Sequence, residues 1–229
     1  MKIALLGYGK MGKAIEALAA AKGHEIVLHM GRAADDWERL SSADICIDFS
    51  HPSTVLDHLA HCARCKKNCV IGTTGWASDL PKAKALAEAS GIGVLFSPNF
   101  SLGVYLFLKI LDYSASLLEH FPEYDAGCIE WHHAQKKDAP SGTALEICRR
   151  LKEALHRKEP LNATSVRLGS IPGKHVVMFD SPHDTLSLCH EARGREGFAS
   201  GALRGAEWLL DKTGFYTLDD FFKGVFHGA

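Results

Sequence analysis

Along the first hundred residues, short apolar runs alternate with longer stretches of helical period. Lys2–Leu6 is a short, mostly apolar run. A glycine-rich turn follows, and Lys13–Ala21 is a strong helix former ended by Gly23. Glu25–Met30 predicts a second strand, which completes a strand–helix–strand unit. Only about a dozen residues separate it from a third strand, Asp44–Phe49. Pro52 and Ser53 then open a helix running to about Cys65. A fourth strand over Cys69–Gly72, a helix over Leu80–Ala89 and a fifth strand over Gly93–Phe96 continue the alternation. Strands alternating with helices predict a parallel α/β sheet.

The pattern changes near residue 101. A long periodic helix over Gly103–His120 leads to a strand over Asp125–Trp131, a polar loop and a helix over Gly142–Leu155. Three runs of strand character follow at Ser165–Leu168, Lys174–Phe179 and Asp184–His190, and then a helix over Phe198–Lys212. This second half predicts an α+β domain with a mixed sheet over 102–204. Residues 1–101 plus 205–229 form the other domain, to which the tail near Phe215–Phe222 returns.

The chain has 229 residues, enough for one and a half domains at ~150 residues each. Hydrophobic residues make up 46% and charged residues 23%, which excludes a disordered or low-complexity chain. The formal net charge of -1 argues against a nucleic-acid footprint or an anionic-membrane patch, though a local basic cluster for a small anion is compatible with it. No run reaches the ~18 consecutive apolar residues of a membrane helix. The apolar start breaks at Gly7–Lys10, too early for a secretory signal. Seven scattered cysteines point to a reduced, cytoplasmic protein.

Gly7-Tyr8-Gly9-Lys10-Met11-Gly12 fits G-x-G-x-x-G between a strand and a helix. The glycines permit a tight turn and close approach of a pyrophosphate to the helix N-terminus, so the first domain is expected to be Rossmann-like and to bind a dinucleotide. The acidic residue expected at the end of the second strand is missing, since the chain reads His29-Met30-Gly31-Arg32. Without that carboxylate a 2′-phosphate is tolerated, and Arg32 and Lys10 are candidates to pair with it. NADPH is favoured on this ground, with NADH left open. Gly72-Thr73-Thr74-Gly75 and Ser97-Pro98-Asn99-Phe100 stand at strand ends, where doubly wound sheets bind ligands.

The densest chemistry is Glu130-Trp131-His132-His133-Ala134-Gln135-Lys136-Lys137-Asp138-Ala139-Pro140-Ser141-Gly142-Thr143-Ala144. Its adjacent imidazoles titrate near neutral pH, its lysines supply positive charge, and its Pro-Ser-Gly-Thr end enters a helix whose N-terminus favours a carboxylate. An anionic substrate that takes up a proton fits this loop. No companion ligands sit at zinc-like spacing, so no metal is expected. Cys62-Ala63-Arg64-Cys65 lacks a second C-x-x-C and is not read as a redox or metal motif.

This loop resembles the signature of the dihydrodipicolinate reductase family, E-x-H-H-x-x-K-x-D-A-P-S-G-T-A. The resemblance extends through Gly72–Gly75, Ser97–Phe100, Arg167–His175, His190–Ala192 and Phe198–Leu203, in effect across the whole chain. It implies NAD(P)H-dependent reduction of a cyclic dicarboxylate imine in diaminopimelate and lysine biosynthesis, by a homotetramer built on the second domain. His132 matches the proton donor or acceptor and Lys136 the lysine proposed as proton donor. His133 with Ser141, Gly142 and Thr143 match substrate-carboxylate contacts. Gly7, Tyr8, Gly9, Lys10, Met11, Gly12, Gly72, Thr73, Thr74, Ser97, Pro98, Asn99 and Phe100 match cofactor contacts. The glycine turn is one residue shorter than the family's usual form. Another Rossmann reductase, such as a semialdehyde dehydrogenase, would explain the N-terminal half alone. A non-catalytic nicotinamide sensor would leave His132 and Lys136 without a role. Of the 13 histidines, only His132 and His133 carry a chemical claim. His175 and His190 fall in family-like segments without an assigned role.

Overall fold

The computed structural model describes residues 1–31, 37–156 and 159–227. The chain forms two compact units: Met1–Ser101 with Glu196–Ala229, and Leu102–Arg195.

The first unit is built on six parallel strands: β1 (Lys2–Leu6), β2 (Glu25–Met30), β3 (Ile45–Asp48), β4 (Asn68–Ile71), β5 (Gly93–Phe96) and β10 (Gly214–Thr217). Their order is β10-β5-β4-β3-β1-β2. β1, β3 and β4 are buried along nearly their whole length, as expected for a parallel sheet covered on both faces. α2 (Val55–Arg64) and α3 (Leu80–Ser90) pack together, with Leu59, Cys62, Ala83 and Ala87 buried among Cys46, Cys69, Ile71 and Val94. α1 (Lys10–Ala21) packs on α6 (Glu196–Leu209), which also lies against β3, β4 and β5. A Cβ at Gly205 would stand 2.6 Å from Leu95 Cδ2, so this glycine allows α6 to approach the sheet closely.

The expected boundary at 204/205 is therefore displaced to 195/196. α6 runs unbroken from Glu196, and its Ala199, Ala202, Leu203 and Ala206 are buried in the first unit. The tail adds β10 beside β5 and then α7 (Leu218–His227). Asn68 ties this return to the sheet. Its amide donates to the carbonyls of Leu209 and Lys212 and its oxygen accepts from Gly93 N–H at 2.7 Å.

The second unit carries a four-stranded mixed sheet in the order β7-β6-β8-β9. β6 (Asp125–His132) runs parallel to β7 (Ala163–Arg167) and antiparallel to β8 (Lys174–Asp180), which pairs antiparallel with β9 (Thr185–Glu191). α4 (Leu102–Leu118) and α5 (Gly142–Ala154) cover one face. Phe107, Leu111, Ile147 and Leu151 pack there on Ala126, Cys128, Val177 and Phe179. β6 alternates strictly, with even-numbered residues buried and odd-numbered ones, from exposed Asp125 to half-exposed Trp131, on the other face. No described helix is long and apolar enough to cross a membrane.

Candidate active site

Strand order reverses between β1 and β3, and a doubly wound sheet opens its binding crevice at such a point. Gly7 leaves β1 with φ +96°, a left-handed conformation that favours glycine. A Cβ there would stand 2.4 Å from the Phe49 carbonyl oxygen, and one at Gly12 would stand 2.6 Å from the Gly7 oxygen. The two outer glycines thus let the turn close against β3. Gly9 caps α1 in an extended conformation, and no acidic residue occupies the first turn of α1. A cleft of about 410 Å³ lies there, lined by Gly9, Lys10, Met11, Phe49, Ser50, Pro52, Gly72, Thr73 and Thr74. Its glycine floor and helix N-terminus fit a pyrophosphate.

Six of the expected cofactor residues meet in this cleft. Gly7 and Gly12 shape it from beneath. Tyr8 is exposed, donates its hydroxyl to Glu16 and packs edge-on against His29. Ser97, Pro98 and Asn99 form a self-bonded turn after β5, in which the Ser97 hydroxyl donates to the Asn99 carbonyl at 2.8 Å. Phe100 is 1% exposed against Phe49, so its side chain belongs to the core. Arg32 lies outside the described residues.

Phe49, Ser50 and Pro52 were not anticipated, although they follow a strand end directly. Buried Asp48 holds Ser50 and Thr73 in place. Its Oδ1 accepts from the Ser50 and Thr73 hydroxyls at 2.6 Å each, and its Oδ2 lies 2.7 Å from His58 Nδ1. We expect Gly7→Ala to abolish saturable NAD(P)H binding, measured by nicotinamide fluorescence, because the new methyl meets backbone rather than a movable side chain.

The second unit gathers the other group at the ends of β6, β7 and β8. Glu130 is fully buried, and its Oε1 accepts from Ser141 N–H at 3.0 Å, the Ser165 hydroxyl at 2.7 Å and Arg167 Nη2 at 2.8 Å. Burial alone would raise its pKa, but these hydrogen bonds outweigh burial and hold it down at about 2. Glu130 Oε2 lies 3.1 Å from His132 Nδ1 and 3.6 Å from His175 Nε2. Burial is the main cause lowering the pKa of His132, and the Glu130 carboxylate opposes it. His132 Nε2 faces Gly173, where a Cβ would come within 3.0 Å. Lys136 donates to both carboxylate oxygens of Asp138, at 2.8 and 2.9 Å. Ser141 caps α5 by accepting from Ala144 N–H, and its hydroxyl lies 3.2 Å from His175 Nε2. Gly142 and Thr143 form the first turn of α5, which carries no acidic residue. The loop thus sets His132 and Ser141 against a carboxylate whose partners come from three strands and a helix cap, with His133, Lys136, Gly142 and Thr143 in the same unit.

His175 sits in the same cluster. Burial first, then His132, bring its pKa down to about 4. An unfolded histidine titrates near 6.5, so between these values the unfolded chain takes up a proton that the folded chain refuses. The fold is therefore expected to keep its full stability above pH 6.5. It should lose on the order of 3 kcal/mol as pH falls toward 4. Urea denaturation across that window measures the loss, and His175→Asn should flatten it.

Two family profiles match the chain: dihydrodipicolinate reductase, N-terminus, over residues 1–100, and dihydrodipicolinate reductase, C-terminus, over 103–222. The chain belongs to the dihydrodipicolinate reductase family. The 4-hydroxy-tetrahydrodipicolinate reductase of Christiangramia forsetii is 35% identical over 99% of both chains. That of Archaeoglobus fulgidus is 35% identical over 97% of this chain and all of its own. Among solved structures, dipicolinate-bound dihydrodipicolinate reductase from Paenisporosarcina sp. TG-14 has the same fold. It aligns at a TM-score of 0.77 and 23% identity over 95% of this chain and 97% of its own. An amine dehydrogenase from Mycobacterium smegmatis aligns at 0.58 and 12% identity, over 96% of this chain and 95% of its own. In this family member the glycine turn and the His-His-Lys loop occupy different compact units.

Proposed function

We propose that this chain catalyses NAD(P)H-dependent reduction of 4-hydroxy-tetrahydrodipicolinate to tetrahydrodipicolinate, on the diaminopimelate route to lysine. The observation that carries the reading is the Glu130-centred cluster, with its neutral imidazole, its lysine and its helix N-terminus in one unit. The family's full-length relatives of the same name support it.

The first unit is the dinucleotide-binding domain, and the second binds substrate and builds the oligomer. Gly9, Lys10, Met11, Thr73 and Thr74 hold the cofactor, with Gly7 and Gly12 shaping the turn. Tyr8, Gly72 and the backbone of Ser97–Phe100 stand beside them, and Arg32 is assigned to the adenosine side. When bound, the nicotinamide supplies the hydride. The rest of the work falls to side chains and helix dipoles. Lys136 and the N-terminus of α5, through Ser141, Gly142 and Thr143, attract the two substrate carboxylates, and His133 binds one of them. His132 delivers or receives the proton at Nε2, the ring nitrogen away from Glu130, and Lys136 assists as a second donor. Holding the dicarboxylate at two points orients the ring for attack.

A coupled assay tests the reading: the product of the preceding synthase is supplied and nicotinamide absorbance followed with each cofactor. Oxidation of neither NADPH nor NADH would overturn it.

The homotetramer is supported by the sheet face opposite α4 and α5, which carries half-exposed Ile129, Trp131, Val166, Val176 and Met178. Light scattering should give four chains for the wild type and fewer for Val176→Asp. A cytoplasmic setting is supported by seven cysteines that are all unpaired.

A further inference from the structure

Glu130 and His175 are register partners across β6 and β8, and His132 follows two residues along on the same buried face. Strand pairing therefore brings together residues that sequence spacing keeps apart. Ligand atoms of Glu130, His132 and His175 all lie within 4.8 Å of one another, and all three residues are buried. The expectation that no metal-ligating group exists here rested on local spacing, which could not register this juxtaposition.

Three observations point to a ligand. Among the described residues, Glu130 Oε2 and His132 Nδ1 are buried without a hydrogen-bond partner. They face each other at 3.1 Å, so one ligand between them would satisfy both. Two of the three separations also suit one shared ion: Oε2 is 3.1 Å from His132 Nδ1 and 3.6 Å from His175 Nε2. A tetrahedron with zinc–ligand bonds of 2.0–2.2 Å has edges of about 3.4 Å. Finally, the charges suit a dication. Glu130 is an anion held by Arg167 and two serines through Oε1 alone, which leaves Oε2 as a single ligand atom. Lys136, the other nearby cation, is paired with Asp138.

We propose that Glu130 Oε2, His132 Nδ1 and His175 Nε2 form a binding site for a zinc-class dication, and that its occupancy switches the enzyme off. The metal takes no part in hydride transfer. Coordination at His132 Nδ1 competes with protonation of the ring, so the imidazolium that donates from Nε2 does not form while the metal is bound. The inhibitory half rests on the function proposed above; the binding half does not.

Cobalt(II) serves as the probe because its visible spectrum reports coordination. Titrating the full chain with Co²⁺ should give a tetrahedral absorption band that saturates at one equivalent and is displaced by Zn²⁺. His175→Ala and His132→Gln each remove a different ligand and should each weaken binding at least ~10-fold, since even partners outside the ligand shell commonly cost that much. Circular dichroism checks that each variant is folded, and either variant alone suffices. No visible band in the wild type, or unchanged affinity in a folded variant, overturns the site. Thiolate charge-transfer bands would put the metal on the buried cysteines instead and also overturn it. In turnover, Zn²⁺ should inhibit the wild type, and His175→Ala should need at least ~10-fold more Zn²⁺ for the same fractional loss of its own zinc-free rate. Cobalt binding without zinc inhibition overturns the switch. Absence of zinc-free turnover overturns the proposed function, while the cobalt titration still decides the site.

Discussion

His132→Gln lowers kcat by roughly 10²–10⁴-fold and leaves KM for the dicarboxylate within a few-fold of wild type. Glutamine keeps a polar group of similar reach but cannot carry a proton near neutral pH. The loss therefore falls on the step in which a proton moves rather than on binding. His132 is suited to that step because burial keeps it neutral at rest, while the carboxylate 3.1 Å away stabilises the ring when it is charged. Lys136→Ala should be as severe or worse. In the roles proposed above it removes a cation that attracts the substrate as well as a donor, so KM should rise along with the fall in kcat. Steady-state kinetics on both variants checks this, and near-normal turnover in both would sink the assignment of these two residues.

Glu130→Ala destabilises the fold by about 3–5 kcal/mol, the usual cost of leaving one partner of a buried ion pair behind. Arg167 Nη2, the Ser165 hydroxyl and Ser141 N–H all lose their shared acceptor at once. Because Ser141 is the cap of α5, the damage extends to the start of the helix that carries Gly142 and Thr143. Urea denaturation measures the loss. Glu130→Ala combined with Arg167→Met should cost clearly less than the sum of the two single changes, because the second removes the charge that the first orphans. Strict additivity would mean that the ion pair is not the source of the stability.

The two halves of the chain were legible to different degrees. The glycine turn could be read directly, because its chemistry is local: a left-handed residue, a close approach and a helix start lie within six consecutive positions, Gly7–Gly12. The His-His-Lys loop was legible for the same reason, since Ser141 caps a helix by accepting from Ala144 N–H, three residues along. Less legible was the other wall of the cleft. Phe49, Ser50 and Pro52 join it only because β3 lies next to β1, and strand order is not written in either strand. Phe100 shows the converse, since it follows a strand end as a ligand contact would, while its side chain is buried against Phe49. The boundary at residue 204 failed similarly. Whether α6 belongs to one unit or two depends on the sheet its small residues rest against.

By itself, the sequence determined the alternating strands and helices, the dinucleotide turn, the family and the loop proposed to carry the acid, because each is a pattern of near neighbours. Only the tertiary structure decided that Glu130 is the hub of that loop and that His175 belongs to it. Residue 175 is far from 130 along the chain but opposite it across an antiparallel strand pair. The physical reason is the range of the forces involved. Helix propensity, capping and turn geometry act over a few residues, whereas a buried charge must find its partners wherever the fold brings them.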